Sequence, residues 1–290
     1  MRQCIAQWYA ATMKSRSRSL RPLFIVAALL AALLAPASAS ATATKQVALT
    51  FDDGDSELHI RQALAIAVAT HTPITFFPHG KSLNKFPNLW KAIGEAGIPI
   101  ANHTAHHYTL TKLPITGAKS MSSELGGWIA TAKKWNIPYV KYWRPPGGAW
   151  NNSVRSVAQS LGLTLSMWTT TFADTAPMCK NRTIVAFNKA TSGTEDKVVV
   201  LGHVNPFTAQ TVKLLAAVIA NYDRRGYQFV TIPEMVTGTP NSIDWAKAAL
   251  AVSAPATSPT GARVPTSVPT PIDETNTKYT FAQANGISCH

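Results

Sequence analysis

The constraint that most limits the fold is a repeated alternation between Thr44 and about Gly238, in which seven short β-rich runs are separated by segments of helical periodicity. The runs are QVALTF (46–51), PITFF (73–77), IPIAN (98–102), YVKYW (139–143), LTLSMW (163–168), KVVVLG (197–202) and QFVTI (228–232). Between them, Leu89, Ile93 and Ala96 recur at helical spacing, as do Val212, Leu215, Ile219 and Tyr222. Such alternation predicts one parallel α/β domain, either a closed barrel or doubly wound.

The two ends read differently. Arg16, Arg18 and Arg21 precede the apolar run Leu23 to Ala35, and PASASA follows with small-residue cleavage sites. This is the pattern of a secretory signal over residues 1–41. The rival, a membrane anchor, needs about 20 apolar residues, more than the run supplies. At the other end SIDWAKAALAV predicts a terminal helix over 239–252, and the Pro/Ser/Thr-rich stretch 253–290 reads as an extended tail that cannot bury enough apolar surface to repay its ordering. The catalytic unit is thereby expected over 42–238.

Charge and cysteines add little. The chain has 27 basic and 14 acidic residues; without the leader, 22 and 14 remain, a net charge of +8. That balance suits a polyanionic neighbourhood such as a cell wall, and without Arg-rich runs it does not point to nucleic acid. Cys4 falls in the leader, and Cys179 and Cys289 either pair or stay as two free thiols.

The chemistry sits just past the strands. Asp52 and Asp53 follow the first run, His103 to His107 the third, Arg144 the fourth and His203 the sixth, with Asp174 shortly after the fifth. In a parallel α/β domain these ends converge on one face. His103 and His107 stand at i and i+4, which on a helical turn places both imidazoles on one side; with an aspartate they make a two-histidine, one-carboxylate metal site. His106 competes as a ligand or stands by. Neighbouring residues leaving a strand point apart, so Asp52 and Asp53 are expected to divide labour, one ligating and the other serving as a base. Alone, DDG is also an ordinary turn after a strand.

Four motifs in order, TFDDG (Thr50–Gly54), HTAHH (His103–His107), RPPGG (Arg144–Gly148) and LGH (Leu201–His203), resemble those of the polysaccharide deacetylase family, also called carbohydrate esterase family 4. The likeness runs from about Val47 to Met235 and includes TFFPHGKSL and IGEAGIPIANH. It implies a distorted (β/α) barrel with about seven parallel strands, and a divalent metal on Asp53, His103 and His107, most often Zn2+, with Co2+ or Mn2+ as alternatives. By the same resemblance Asp52 is the general base, His203 the general acid, and Arg144 the residue that orients Asp52. Asp174 tunes His203, and the Gly147 N–H shares a developing oxyanion.

Three departures from the family pattern stand out. Gly147 replaces a frequent aromatic, Thr171 and Thr175 replace an acid and a tryptophan around Asp174, and Asp55 replaces a frequent proline. Trp168 and Phe172, beside Leu201, are candidates for the lost apolar wall, or else core residues. The activity implied is removal of N-acetyl groups from chitin-type glycan or peptidoglycan by a secreted or wall-associated monomer, with no nucleic-acid partner and no membrane insertion after signal cleavage. The alternatives are an O-acetyl (xylan) esterase or other amidase, and a non-catalytic wall-glycan-binding protein.

Overall fold

The computed structural model describes residues 44–175, 183–206 and 208–254. The expected leader, the tail beyond 254, and Cys4, Cys179 and Cys289 lie outside the described residues. Among the described residues no helix is long and apolar enough to cross a membrane.

The first strand, β1 (Gln46–Asp53), is buried along nearly its whole length, as expected of a parallel strand covered on both faces. One edge pairs with β6 (Lys197–His203), in a register that sets Asp52 opposite His203. The other edge is shared. β7 (Gln228–Phe229) pairs with Gln46 and Val47, and β2 (Ile74–Pro78) takes over from Leu49 to Asp53. All recorded strand pairs are parallel.

The third run, 98–102, is not a continuous strand. It touches β2 through a Phe76–Ile100 bridge and β3 (Tyr142–Trp143) through an Asn102–Trp143 bridge. Pro99 has no N–H to give, and only its carbonyl bonds, accepting from Phe76 N at 3.0 Å. The fifth run also breaks, into β4 (Thr164–Leu165), which pairs with β3, and β5 (Thr170–Thr171), which pairs with β6. The staves of this distorted (β/α) barrel therefore run β5, β6, β1, β2, residues 98–102, β3, β4. At the break, the Ser166 and Met167 carbonyls accept from Arg144 Nε and Nη2 at 3.0 and 3.4 Å instead of from a neighbouring strand.

Period-2 alternation sorts the side chains. Val47, Leu49, Phe51, Phe76, Ile100 and Val200 pack outward in the main core, against α1 (Glu57–Thr70), α3 (Pro87–Glu95) and α7 (Ala209–Arg224). Their alternates Ala48, Phe77 and Ala101 form a small inner cluster. Continuing the inner row upward gives Thr50 and Asp52 on β1, and Leu201 and His203 on β6. Short side chains below thus leave room for polar ones above.

The remaining helices are α2 (Gly80–Lys85), α4 (Met121–Lys134), α5 (Asn152–Ser160), α6 (Thr183–Ala190), α8 (Ile232–Thr237) and α9 (Trp245–Ser253). The last run of β character stops at Phe229 because Thr231 caps α8 in a reciprocal capping box with Glu234. Ala248 and Ala251 of α9 are buried in the main core. A buried Arg61, paired with Glu57 at 2.7 Å, donates to the Ala251 and Val252 carbonyls at the C-terminal end of that helix.

Candidate metal and acid–base site

Asp52 and Asp53 leave β1 in different ways. Asp52 keeps strand geometry and lies on the inner face, where its Oδ1 accepts from Arg144 Nη1 at 2.7 Å. Asp53 has φ 74, a left-handed conformation that a non-glycine residue rarely adopts. That turn carries its carboxylate to the histidines: Oδ1 lies 3.3 Å from His103 Nε2 and 3.2 Å from His107 Nε2.

The histidines do not sit on a helical turn, contrary to the sequence expectation. Residues 102–109 are a loop in which Thr104 (φ 67) and His107 (φ 64) are left-handed, and these two turns put the rings 4.9 Å apart. The loop is pinned from several sides. Asn102 Oδ1 accepts from Thr104 N, Ala105 N donates to Glu124 O, and Gly80 N and Lys81 N at the start of α2 donate to the Thr104 and Ala105 carbonyls. Gly80 must be glycine here, because a Cβ would fall 2.9 Å from the Ala105 carbonyl oxygen. His106 is the bystander: its N–H and Nδ1 both engage Glu124.

His103 is oriented by its own backbone surroundings. Its Nδ1 lies 2.8 Å from the Arg144 carbonyl, which can only accept, so Nδ1 carries the proton and Nε2 faces Asp53. Asp53 Oδ1 is buried and has no hydrogen-bond partner, although both Nε2 atoms are near it. Burial opposes ionisation of Asp53, but His103 and His107 outweigh it and hold the carboxyl well below the usual carboxylate range. Burial likewise opposes protonation of His103, and Asp52 and Asp53 outweigh it, raising its pKa. A cluster that binds a proton against its own burial calls for positive charge at its centre. One ligand atom from each of Asp53, His103 and His107 lies within 4.8 Å of the other two, a donor set suited to a divalent transition metal.

Arg144 is fully buried and held by five groups. Besides Asp52 and the two carbonyls, Nη1 donates to Thr50 Oγ1 at 2.9 Å, and the guanidinium lies 4.1 Å from the centre of the Phe77 ring. Burial lowers its pKa and Asp52 opposes the shift. Across the site, His203 Nδ1 and N–H both donate to the fully buried Asp174 at 2.8 Å, and Thr211 Oγ1 donates to the same carboxylate. Burial pushes His203 down, but Asp174 outweighs it and raises the pKa to about 9.

The proposed substrate-side residues are arranged less compactly. Gly147 has φ 61 and is exposed, and a Cβ there would meet nothing within 4 Å. Trp168 is half-buried, its ring 5.7 Å from the Arg144 guanidinium. Leu201 is nearly buried on the inner face, and Phe172 is a core residue at 1 % exposure, so it offers no wall. An open cleft of about 460 Å³ is lined by Asp53, His107 and Asn205 together with Lys81, His106 and Tyr108; Gly147, Leu201 and Trp168 do not line it.

Three residues of the site were missed in the sequence. His79 Nδ1 accepts from Ser82 N, so its Nε2 carries a proton and donates to Asp55 at 3.0 Å, which lowers the Asp55 pKa. Asn205 contacts Asp53. His79 and Asp55 both follow strands and satisfy the rule that found the others; Asn205 is neutral and gave no signal.

Comparison with known proteins agrees with the motifs. The polysaccharide deacetylase profile matches residues 39–166. The peptidoglycan-N-acetylglucosamine deacetylase of Bacillus cereus is 28% identical over 196 residues, covering 66% of this chain and 88% of that one. The chain is similar to the polysaccharide deacetylase family. Another family relative, the peptidoglycan-N-acetylglucosamine deacetylase PgdA of Listeria monocytogenes, is 30% identical over the same share of this chain, which spans only 39% of that protein's length. The family 4 carbohydrate esterase from Streptomyces lividans, solved in complex with acetate, superposes with a TM-score of 0.59 at 26% identity, covering 69% of this chain and 98% of that one.

Proposed function

We propose that this protein is a secreted, metal-dependent deacetylase that hydrolyses N-acetyl groups of a GlcNAc-containing polysaccharide, releasing acetate and leaving the free amine. The observation that carries the reading is Asp53 Oδ1, a buried acceptor with no hydrogen-bond partner set between two histidine nitrogens. A buried polar atom left unsatisfied costs about 1–3 kcal/mol; a bound cation removes that cost.

Asp53, His103 and His107 would hold the ion, whose Lewis acidity would polarise the acetyl carbonyl and make water a better nucleophile near neutral pH. Asp52 accepts the proton of the attacking water. Arg144 fixes the Asp52 carboxylate through Oδ1, and Oδ2, 3.6 Å from His103 Nε2, is the oxygen for this task. His203, with Nδ1 committed to Asp174, has Nε2 to protonate the departing nitrogen. Its raised pKa keeps it protonated at neutral pH, and an amine leaving group needs that acid more than an alcohol does. The Gly147 N–H is the proposed donor to the oxyanion.

The test is acetate release from peptidoglycan, chitooligosaccharides and acetylated xylan by chelator-treated protein, with and without added Zn2+, Co2+ or Mn2+. Metal-restored release from the N-acetylated glycans is expected, lost in His103→Ala together with bound metal and lost in Asp52→Asn with metal retained. Release from xylan alone would make the protein an O-acetyl esterase. Metal binding without release from any substrate would favour a glycan-binding role.

A further inference from the structure

We infer that Asn205 is a positioning residue for Asp53, fixing which carboxylate oxygen faces the two histidines; this rests on the metal-site reading above. Asn205 stands two residues past His203 and is 3 % exposed. Its Nδ2 donates to Asp53 Oδ2 at 2.6 Å, and its Oδ1 accepts from the Asp55 backbone N–H at 3.2 Å. Its own backbone is tied as well: the N–H donates to Thr208 Oγ1, and the carbonyl is 2.5 Å from His59 Nδ1.

The amide can point only one way. Flipped, its oxygen would face a carboxylate oxygen and its NH2 would face an N–H, so both partners would be lost. With Oδ2 engaged, Oδ1 is the oxygen left for His103 and His107, which makes Asp53 a one-oxygen ligand of fixed orientation. Asp53 needs this help because it ends β1, paired with β2 but no longer with β6, at φ 74 and 7 % exposure. The donor is also neutral. Asp52 is held by a guanidinium that balances its charge, whereas Asp53 has no Lys or Arg partner among the described residues and keeps its full negative charge for a cation. Groups that orient a metal ligand in this manner are worth about 10–100-fold in metal affinity.

The experiment measures Zn2+ affinity of chelator-treated protein by competition with a chromophoric chelator, for wild type, Asn205→Leu, Asn205→Ala and His103→Ala. The Leu variant is close in volume and lacks the donor. Both Asn205 variants should bind one Zn2+ at roughly 10–100-fold lower affinity, and the Co2+-loaded forms should show an altered visible spectrum. A purely structural role would lower the melting temperature of the metal-free protein yet leave the affinity of the folded fraction within twofold of wild type, and that result overturns the inference. Should neither variant fold, wild type decides: by NMR the Asn205 side-chain amide should exchange slowly and shift on addition of Zn2+, and a rapidly exchanging, unshifted amide overturns the inference. Wild type that takes up no Zn2+ refutes the metal site itself. Zn2+ lost in His103→Ala but held normally in Asn205→Leu refutes only the role of Asn205.

Discussion

Asp174→Asn separates the acid from the rest of the site. In the wild type the buried carboxylate accepts from His203 Nδ1, from His203 N–H and from Thr211 Oγ1. An amide keeps one acceptor oxygen and turns an NH2 toward a donor, and the imidazolium loses its counter-charge. His203 has its pKa raised from 6.5 to about 9 although burial pushes it the other way, so the site favours the imidazolium by roughly 3 kcal/mol at 1.36 kcal/mol per pKa unit. Because the folded pKa is above the unfolded one, this stability is fully present below about pH 6.5 and is lost as pH rises through about 9. The variant should therefore be more destabilised, relative to wild type, at about pH 6 than at about pH 10, by up to roughly 3 kcal/mol, in urea unfolding of chelator-treated protein. A further loss from the unpaired donor, about 1–3 kcal/mol, is independent of pH. A bound cation would act on His203 by repulsion in both proteins alike. The comparison is then between their pH–rate profiles in the same metal, and the alkaline limb of the variant should lie at distinctly lower pH. A destabilisation that is flat from pH 6 to 10, with coincident alkaline limbs, would refute the assignment of Asp174 and His203 as an acid pair.

The other expectations follow from equally local features. Arg144→Lys keeps a charge but offers all its donors from one atom, which cannot reach Asp52, Ser166 and Met167 together; kcat should fall about 100-fold with metal content unchanged, and unaltered turnover would show that Asp52 needs no fixed orientation. Arg61→Ala removes the buried contact to Glu57 and the donors to the Ala251 and Val252 carbonyls at the end of α9, and should cost about 1–3 kcal/mol in denaturant unfolding; a loss well under about 1 kcal/mol would mean that α9 holds by its alanine face alone. A chain ending after Ala254 should turn over small substrates normally, whereas one ending before Trp245 should lose stability, because Ala248 and Ala251 are buried in the main core. On glycans, the bare Gly147 position forfeits on the order of 1 kcal/mol of apolar contact, nearly tenfold in rate, so catalytic efficiency should rise from chitobiose to longer oligomers and fall with salt on peptidoglycan; equal, salt-indifferent efficiency on dimer and polymer would refute this.

Periodicity located the strands because burial on both faces leaves apolar runs whatever the detailed geometry. It overstated their length where the backbone has other obligations. The run at 98–102 contains Pro99, whose missing N–H allows bridges and no ladder. The run at 163–168 breaks where Ser166 and Met167 give their carbonyls to Arg144, a contact with a residue 22 positions away that no local pattern encodes. The histidine pair shows the same limit from the other side: the i and i+4 spacing marked the right residues for the wrong reason. Helical geometry was expected, and two left-handed residues, Thr104 and His107, produce a comparable closeness instead. Sign of φ at Thr and His is set by the surrounding bonds from Asn102, Glu124 and α2, which are tertiary.

The substitution of Asp55 for a frequent proline is, in the sequence, only a departure from the family pattern, and the three-dimensional surroundings make it a gain. A proline at this position would have no N–H, and the Asp55 N–H is the donor that meets Asn205 Oδ1. The Asp55 side chain takes its own partner, His79, whose ring lies 6.1 Å from that of His107 and whose other nitrogen caps α2, the helix on which the Thr104–Ala105 backbone rests. One residue outside the metal-ligand set thus reaches both flanks of the cluster: through its backbone to the amide that holds Asp53, and through its carboxylate to the helix start that holds the histidine loop. Asp55→Pro would cut both links at once, while Asp55→Ala would cut only the second. If the backbone link is the one that matters for Asp53, the proline variant should weaken Zn2+ binding several-fold more than the alanine variant. Equal affinities in the two would place the effect of Asp55 in its side chain and leave the N–H contact to Asn205 without consequence.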